Sequence, residues 1–212
     1  MSNENMTAPE LSNIEVKGMT RESFMLKGAI AAGSVYGLST VAPFVNQAFA
    51  QGGGGDVGVL NFALTLEYLE TAFYTMALKQ VKGLDGDTMK LATTLRDNEA
   101  EHVSALTATI KKLGGKPVAQ PGVDFGKAFA NQKSFLMTAQ VFEDLGVGAY
   151  NGAAPSIKSK EVLAAAGSIV QVEGRHAGVI RLLNGQKIAP SPFDKGIEKS
   201  QVLEKAKPFI KS

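Results

Sequence analysis

From residue 56 onward apolar side chains recur at intervals of three and four, and turn residues break the pattern at regular places. Leu60, Ala63, Leu64, Leu66, Phe73 and Leu78 mark a first helical stretch that runs to Gly83, with Asp56 as its expected N-cap. Lys82-Gly83-Leu84-Asp85-Gly86-Asp87 reads as a turn, and Asp87 is placed to cap the next helix. Leu91, Leu95, Val103, Leu106 and Ile110 carry that helix to Gly114-Gly115, with Lys111 and Lys112 in its last turn, where cations suit the helix dipole. A third helix is expected over about residues 127–153, ending before Pro155, and a fourth over about 160–184, ending at Asn184-Gly185. Residues 115–126, with Pro117, Pro121 and Gly122, form a connector that reaches roughly 40 Å if extended, enough to run the length of a helix. Past Pro190 and Pro192, in a tail over 185–212, residues 194–207 form a candidate short amphipathic helix outside the bundle. No segment sustains the alternation of a half-buried strand. The pattern predicts an all-α four-helix bundle over 56–184.

The first fifty residues follow a different logic. Residues 1–18 are polar without an apolar period, Arg21 and Lys27 flank Phe24-Met25-Leu26, and no charge appears from Gly28 until Asp56. The uncharged run ends in Ala48-Phe49-Ala50 before Gln51, the small-x-small pattern of a signal-peptidase site. The segment resembles a bacterial export signal. Thr20-Arg21-Glu22-Ser23-Phe24 is similar to the twin-arginine class, with Glu22 where that class has its second arginine. Gly33, Gly37 and Pro43 interrupt the apolar run, which favours a cleaved signal over an uncleaved membrane anchor. Residues 1–50 are therefore expected to be an export signal and 51–55 a glycine-rich tether. The expected destination is periplasmic or extracellular, with membrane attachment only through an uncleaved signal.

Composition narrows the chemistry. The chain has 22 Lys and Arg against 20 Asp and Glu, too near balance to favour nucleic acid as a partner. It has no cysteine, which removes disulfides, thiolate zinc sites, iron–sulfur clusters and cysteine nucleophiles together. Only two histidines remain, and both stand three residues after a glutamate, in Glu99-Ala100-Glu101-His102 and Glu173-Gly174-Arg175-His176. At this spacing on a helix the two side chains face the same way and can grip one ion.

The odd-numbered helices complete the set. Glu67 is followed by Tyr74, and Glu143 by Tyr150, at the same interval. Glu67 and Glu143 are 76 residues apart, as are Tyr74 and Tyr150, while 74 residues separate Glu99 from Glu173 and His102 from His176. The chain thus reads as one hairpin written twice. Antiparallel helices bring residues level when they are equidistant from the turn: Gly83 lies midway between Glu67 and Glu99, and residue 158 midway between Glu143 and Glu173. Pairing the hairpins collects four carboxylates and two imidazoles at mid-height in the core. Four ionised carboxylates buried together would repel and lose their hydration, so the arrangement calls for cations; two divalent ions cancel the charge while the imidazoles stay neutral. Oxygen-rich ligation with one nitrogen per metal favours iron, with manganese as the alternative, over structural zinc. Glu70, one turn beyond Glu67, competes with it for the ligand position; Glu67 is preferred because it alone reproduces the spacing of Glu143. Glu70 is then expected beside the ligands or exposed, and Asp144 points about 100° away from Glu143. Arg175 and Asp97 sit beside ligands in the sequence and are candidates to support them, with a surface pair as the default expectation.

These motifs resemble the ferritin-like superfamily of dinuclear carboxylate proteins, whose bundles take one Glu from each of two helices and Glu-x-x-His from each of the other two. The resemblance covers about residues 56–184 and all six ligand positions. It implies that Glu99 and Glu173 bridge two metal ions, that Glu67 and Glu143 are terminal carboxylates, and that His102 and His176 each bind one ion. It also implies one long crossover, matching the connector. Tyr74 and Tyr150 become candidates to bond ligand carboxylates or handle electrons, against the alternative of packed core tyrosines. With its export signal and long tails, the chain looks more like exported ferritin-like proteins, some called desiccation-related, than cage-forming ferritins.

The expected function is a dinuclear iron or manganese centre that reacts with dioxygen or peroxide. Ferroxidase, peroxidase, catalase-like and substrate-oxidising chemistries all remain open, as does the oligomeric state. The alternatives are iron storage and a non-catalytic stress protein with a structural metal site.

Overall fold

The computed structural model describes residues 54–211, so the export signal expected over 1–50 lies outside the described residues. Four long helices form the body: α1 (Asp56–Gln80), α2 (Gly86–Lys112), α3 (Gln132–Ala153) and α4 (Lys160–Leu183). A single 3-10 turn, Ala154–Ser156, follows α3, and a fifth helix, α5 (Lys199–Ala206), precedes another at Lys207–Phe209. Helix α1 packs chiefly on α2, and α3 on α4. The two hairpins are those expected from the spacing.

Local chemistry explains the helix ends and corrects two expected caps. The Asp85 carboxylate, not that of Asp87, caps α2 by accepting from the Thr88 amide at 2.7 Å. Asp56 does not cap its own helix; Gly55 holds that position, and the Asp56 carboxylate accepts from the Lys158 and Ser159 amides ahead of α4, at 2.7 and 2.8 Å. The first residue of hairpin one thereby ties down the turn of hairpin two. Helix α3 starts five residues later than expected, because Asn131 caps it through the Ser134 amide while residues 126–130 form turns. Gly114 and Gly185 end α2 and α4 with φ of 74° and 70°, a backbone that side-chain-bearing residues rarely adopt.

The connector does run the length of the bundle. At one end the buried Asn61 of α1 donates to the Lys116 carbonyl (3.1 Å) and accepts from the Val118 amide (2.8 Å). At the other, Gln132 bonds both the Asp85 amide and its carboxylate. Every polar group of Asn61 that burial would orphan is thus used to fix the crossover.

The core divides into two apolar clusters. One is aromatic: Phe73, at its centre, has Phe125, Phe129, Phe135 and Phe142 within 5.0–5.5 Å between ring centroids, and Phe142 meets Phe209 at 4.8 Å. The other is largely aliphatic and holds Leu60, Leu64, Leu106, Ile110, Val162 and Ile169. On α2 the sequence passes from Leu95 in the first cluster to Leu106 in the second, and on α4 from Ile169 in the second to Ile180 in the first. Glu99, His102, Glu173 and His176 fall in the gap on each helix.

The tail differs from its expectation in how deeply it is built in. Helix α5 is additional to the four-helix set, yet Val202, Ala206, Phe209 and Ile210 are buried in the aromatic cluster, and the Lys211 amide donates to Gly122 in the connector at 2.8 Å. The reason lies on α3, where Gly148 and Gly152 leave a groove for the tail backbone. The Ile197 amide donates to the Gly148 carbonyl at 2.8 Å, and a Cβ at position 152 would lie 2.1 Å from the Ile197 carbonyl oxygen. Gly152→Ala is therefore expected to displace the tail and cost about 1–3 kcal/mol in chemical denaturation, with faster proteolysis between residues 187 and 198. Unchanged stability and cleavage would show that the groove does not hold the tail.

Candidate metal centre

Glu67, Glu99, Glu143 and Glu173 are each wholly inaccessible to solvent, and His102 and His176 are buried with them. Each comes from a different face-to-face position: one glutamate from α1, one from α3, and a Glu-x-x-His pair from each of α2 and α4. The side chains converge in two overlapping groups. One holds Glu67, Glu99, His102 and Glu173, the other Glu99, Glu143, Glu173 and His176, with the ligand atoms of each group within 4.8 Å of one another. Glu99 and Glu173 belong to both. The two imidazole rings lie 6.4 Å apart between centroids.

The contacts suit a cation better than a hydrogen-bond network. His102 Nδ1 lies 2.9 Å from Glu99 Oε2, 3.2 Å from Glu67 Oε2 and 3.2 Å from Glu173 Oε1. One N–H cannot serve three carboxylates. His176 Nδ1 lies 2.9 Å from Glu99 Oε1 and 3.4 Å from Glu143 Oε2, yet neither nitrogen nor oxygens are aligned for a hydrogen bond. Both oxygens of Glu173 are likewise without a hydrogen-bond partner. Buried polar atoms are seldom left so, and here the orphans share one small volume. The donor set, four carboxylates and two imidazole Nδ1 atoms, fits two divalent ions.

The surroundings fix the set in place. The Tyr74 hydroxyl donates to Glu143 Oε1, and the Tyr150 hydroxyl donates to Glu67 Oε1 at 2.5 Å. Each tyrosine thus holds the glutamate of the other hairpin, a crossed pair that ties α1 to α3 at the height of the site. Burial, with the neighbouring carboxylate second, raises both phenol pKa values well above the ordinary 10, so both remain hydroxyl donors.

Electrostatics without metal run in opposite directions for the two residue types. Burial works against a charged imidazole, but the carboxylates around Nδ1 outweigh it and raise His102 from 6.5 to about 12 and His176 to about 10. Burial pushes Glu67 up to about 7, Glu143 upward, and Glu173 well above the usual carboxylate range. Glu99 is the exception. Burial would raise it, but the His102 hydrogen bond and the adjoining His176 imidazole hold it at about 2. Metal-free Glu99 is thus a paired charge rather than the repulsive one that charge counting alone suggests.

One residue escaped sequence reading. Asn98 places its side-chain amide 3.0 Å from His176 Nε2, the ring nitrogen facing away from the carboxylates. Its only signal was its place beside Glu99. Glu70 is 2% exposed, which removes the exposed option, and it is absent from both converging groups, one of which contains Glu67. Asp144 pairs with Arg181 at 2.6 Å, Asp97 with Arg96 at 2.6 Å, and Arg175 is exposed, so none of these reaches the site.

A bundle of two helical hairpins joined by a long crossover, with carboxylates and imidazoles gathered at mid-height, defines a class of helical carboxylate–histidine proteins. The ferritin-like domain family matches residues 55–186, and the chain belongs to that family. A comparison with curated proteins found no match.

The pKa directions set the pH dependence of the metal-free protein. His102, His176 and Glu67 bind protons more tightly folded than unfolded, so their contribution to stability is full at acid pH and falls as pH rises. Glu67 loses its part between about 4.5 and 7, and the histidines theirs from about 6.5 upward. Thermal melts of chelator-treated protein are expected to show a midpoint that declines steadily from pH 5 to pH 9. A midpoint that rises over that range would contradict these assignments.

Proposed function

We propose that the chain is an exported protein whose bundle holds two iron ions, with manganese as the alternative, in a centre that reacts with dioxygen or peroxide. The observation that carries the reading is the overlap of the two ligand groups at Glu99 and Glu173. Two shared carboxylates, one further carboxylate per group and one imidazole per group make two nearly equivalent positions side by side. A pair of adjacent redox metals supplies two electrons to an O–O bond without release of a radical.

The chain's own residues perform the remaining tasks. Glu67 and Glu143 are the outer carboxylates, each steadied by a tyrosine from the opposite hairpin. His102 and His176 offer Nδ1, which requires both to be neutral; each then carries its proton on Nε2. Asn98, with its amide turned to present Oδ1, accepts that proton's hydrogen bond from His176 and fixes the ring and its tautomer. The apolar clusters on either side exclude bulk water. Ion binding therefore displaces protons from both imidazoles, and affinity rises with pH over the range where the metal-free protein loses stability.

Export is supported by the charge-free run from Gly28 and the Ala48-Phe49-Ala50 pattern. Among the described residues no helix is long and apolar enough to cross a membrane.

Elemental analysis of protein purified without added metal is expected to give two iron ions per chain, and mixing the reduced, loaded protein with oxygen or peroxide to give a rapid optical change. Glu99→Ala should lose most of the metal, by about 10-fold or more in affinity. Loading without any optical change would favour a purely structural metal site, and a Glu99→Ala protein that keeps two ions would remove Glu99 as a bridge.

A further inference from the structure

The two ends of the bundle are packed differently, although the repeat relates one to the other. The 76-residue interval that carries Glu67 onto Glu143 and Tyr74 onto Tyr150 also carries Val59 onto Phe135, Leu66 onto Phe142 and Phe73 onto Ala149. On the Tyr74 side of the centre the three phenylalanines fill the space together, with Phe73 5.5 Å from Phe135 and 5.0 Å from Phe142 between ring centroids. On the Tyr150 side the corresponding residues are Val59, Leu66 and Ala149, and these smaller side chains line a pocket. One end is closed by aromatic rings where the other is left open.

The pocket runs from the surface toward the centre. Half-buried Val59, Ala153 and Ile157 line its outer end, and the buried Ala63, Leu66, Ala149 and Tyr150 its inner end. Ala63 stands one turn before Glu67 on α1, and the lining residue Ala166 two turns before Glu173 on α4, so about 6–10 Å of helix rise separates the pocket from those carboxylates. The lining carries one polar side-chain group, the Tyr150 hydroxyl, and that is already spent on Glu67 Oε1. The enclosed room suits a molecule about the size of water, yet a water there would find no hydrogen-bond partner, and such voids stay dry. Hydrogen peroxide would lose its hydrogen bonds in the same way. Dioxygen has none to lose.

We propose that this apolar pocket is a binding site and entry route for dioxygen, which approaches the centre past the Tyr150 ring on the Glu67 side and not from the end closed by phenylalanines. The inference rests on the dinuclear reading above and selects its oxidant: the pocket admits an apolar diatomic and turns away a hydrogen-bonding peroxide.

Xenon tests the pocket without reference to the metal, because it occupies dry apolar voids and scatters anomalously. Metal-free crystals of the unaltered protein under xenon pressure are expected to show a peak among Ala63, Leu66, Ala149 and Tyr150. Ala149→Phe, which supplies the side chain that the first hairpin has at the matching position, should abolish it. In stopped-flow mixing of the anaerobic, iron-loaded protein, Ala149→Phe should slow the reaction with dioxygen several-fold while leaving the iron content and the rate with hydrogen peroxide unchanged. Dissolved xenon should slow the dioxygen reaction of the unaltered protein in the same selective way, which requires no variant to fold. No xenon in the pocket, a dioxygen rate indifferent to xenon, or equal slowing with both oxidants would each overturn the proposal. A loaded, unaltered protein inert to both oxidants while xenon still fills the pocket would overturn the oxygen-reactive reading of the centre, and the route with it.

Discussion

The structure turns on the burial of five carboxylates in the middle of a helical bundle. Removing even one ionised carboxylate from water costs several kcal/mol, and each neighbour of the same sign adds to it. Glu67, Glu99, Glu143 and Glu173 are completely enclosed and Glu70 nearly so, with apolar clusters above and below them. Such a site survives in a folded protein only if positive charge enters with it. Everything else in the architecture keeps that charge balance possible: the hairpin spacing that levels the glutamates, the crossed tyrosines that fix two of them, and the aromatic and aliphatic packing that keeps water out.

Two kinds of positive charge are available, and they exclude one another. Without metal, the imidazoles of His102 and His176 hold protons far above their ordinary pKa, and Glu99 lies between them as their charged partner. With metal, both Nδ1 atoms must give up those protons to act as ligands. The bundle is thereby prepared to fold before it is loaded, and loading exchanges protons for cations at one unchanged set of atoms. The tail and the connector support this from outside. Phe209 and Ile210 close the aromatic cluster, and Asn61 anchors the crossover, so neither hairpin can part from the other without opening the core.

Much of this was legible in the chain itself. The two Glu-x-x-His pairs, the repeated intervals and the midpoint at Gly83 located all six converging residues, because helical periodicity and hairpin geometry are both set by residue number. Glu67 was preferred to Glu70 by spacing alone, and the converging groups contain Glu67. What escaped were features that depend on contacts between hairpins. The crossing of Tyr74 to Glu143 and Tyr150 to Glu67 needs the relative rotation of α1 and α3, which no single-helix pattern contains. Lys127-Ala128-Phe129 continues the apolar period of α3, yet those residues are turns, because Asn131 offers a better cap. Gly148 and Gly152 lie against Ile197 of the tail, a contact between distant segments that no helical pattern contains. Glu70 was expected beside the ligands or exposed, and the room that decides for burial comes from the absence of a side chain at Gly146.

The central claim is that two cations sit between the shared carboxylates of Glu99 and Glu173. Anomalous diffraction from crystals of the metal-loaded protein, collected on either side of the iron and manganese absorption edges, addresses it directly. The account predicts two peaks about 3.5–4 Å apart, one beside His102 and one beside His176. A single peak, or none within reach of those imidazoles, would contradict it.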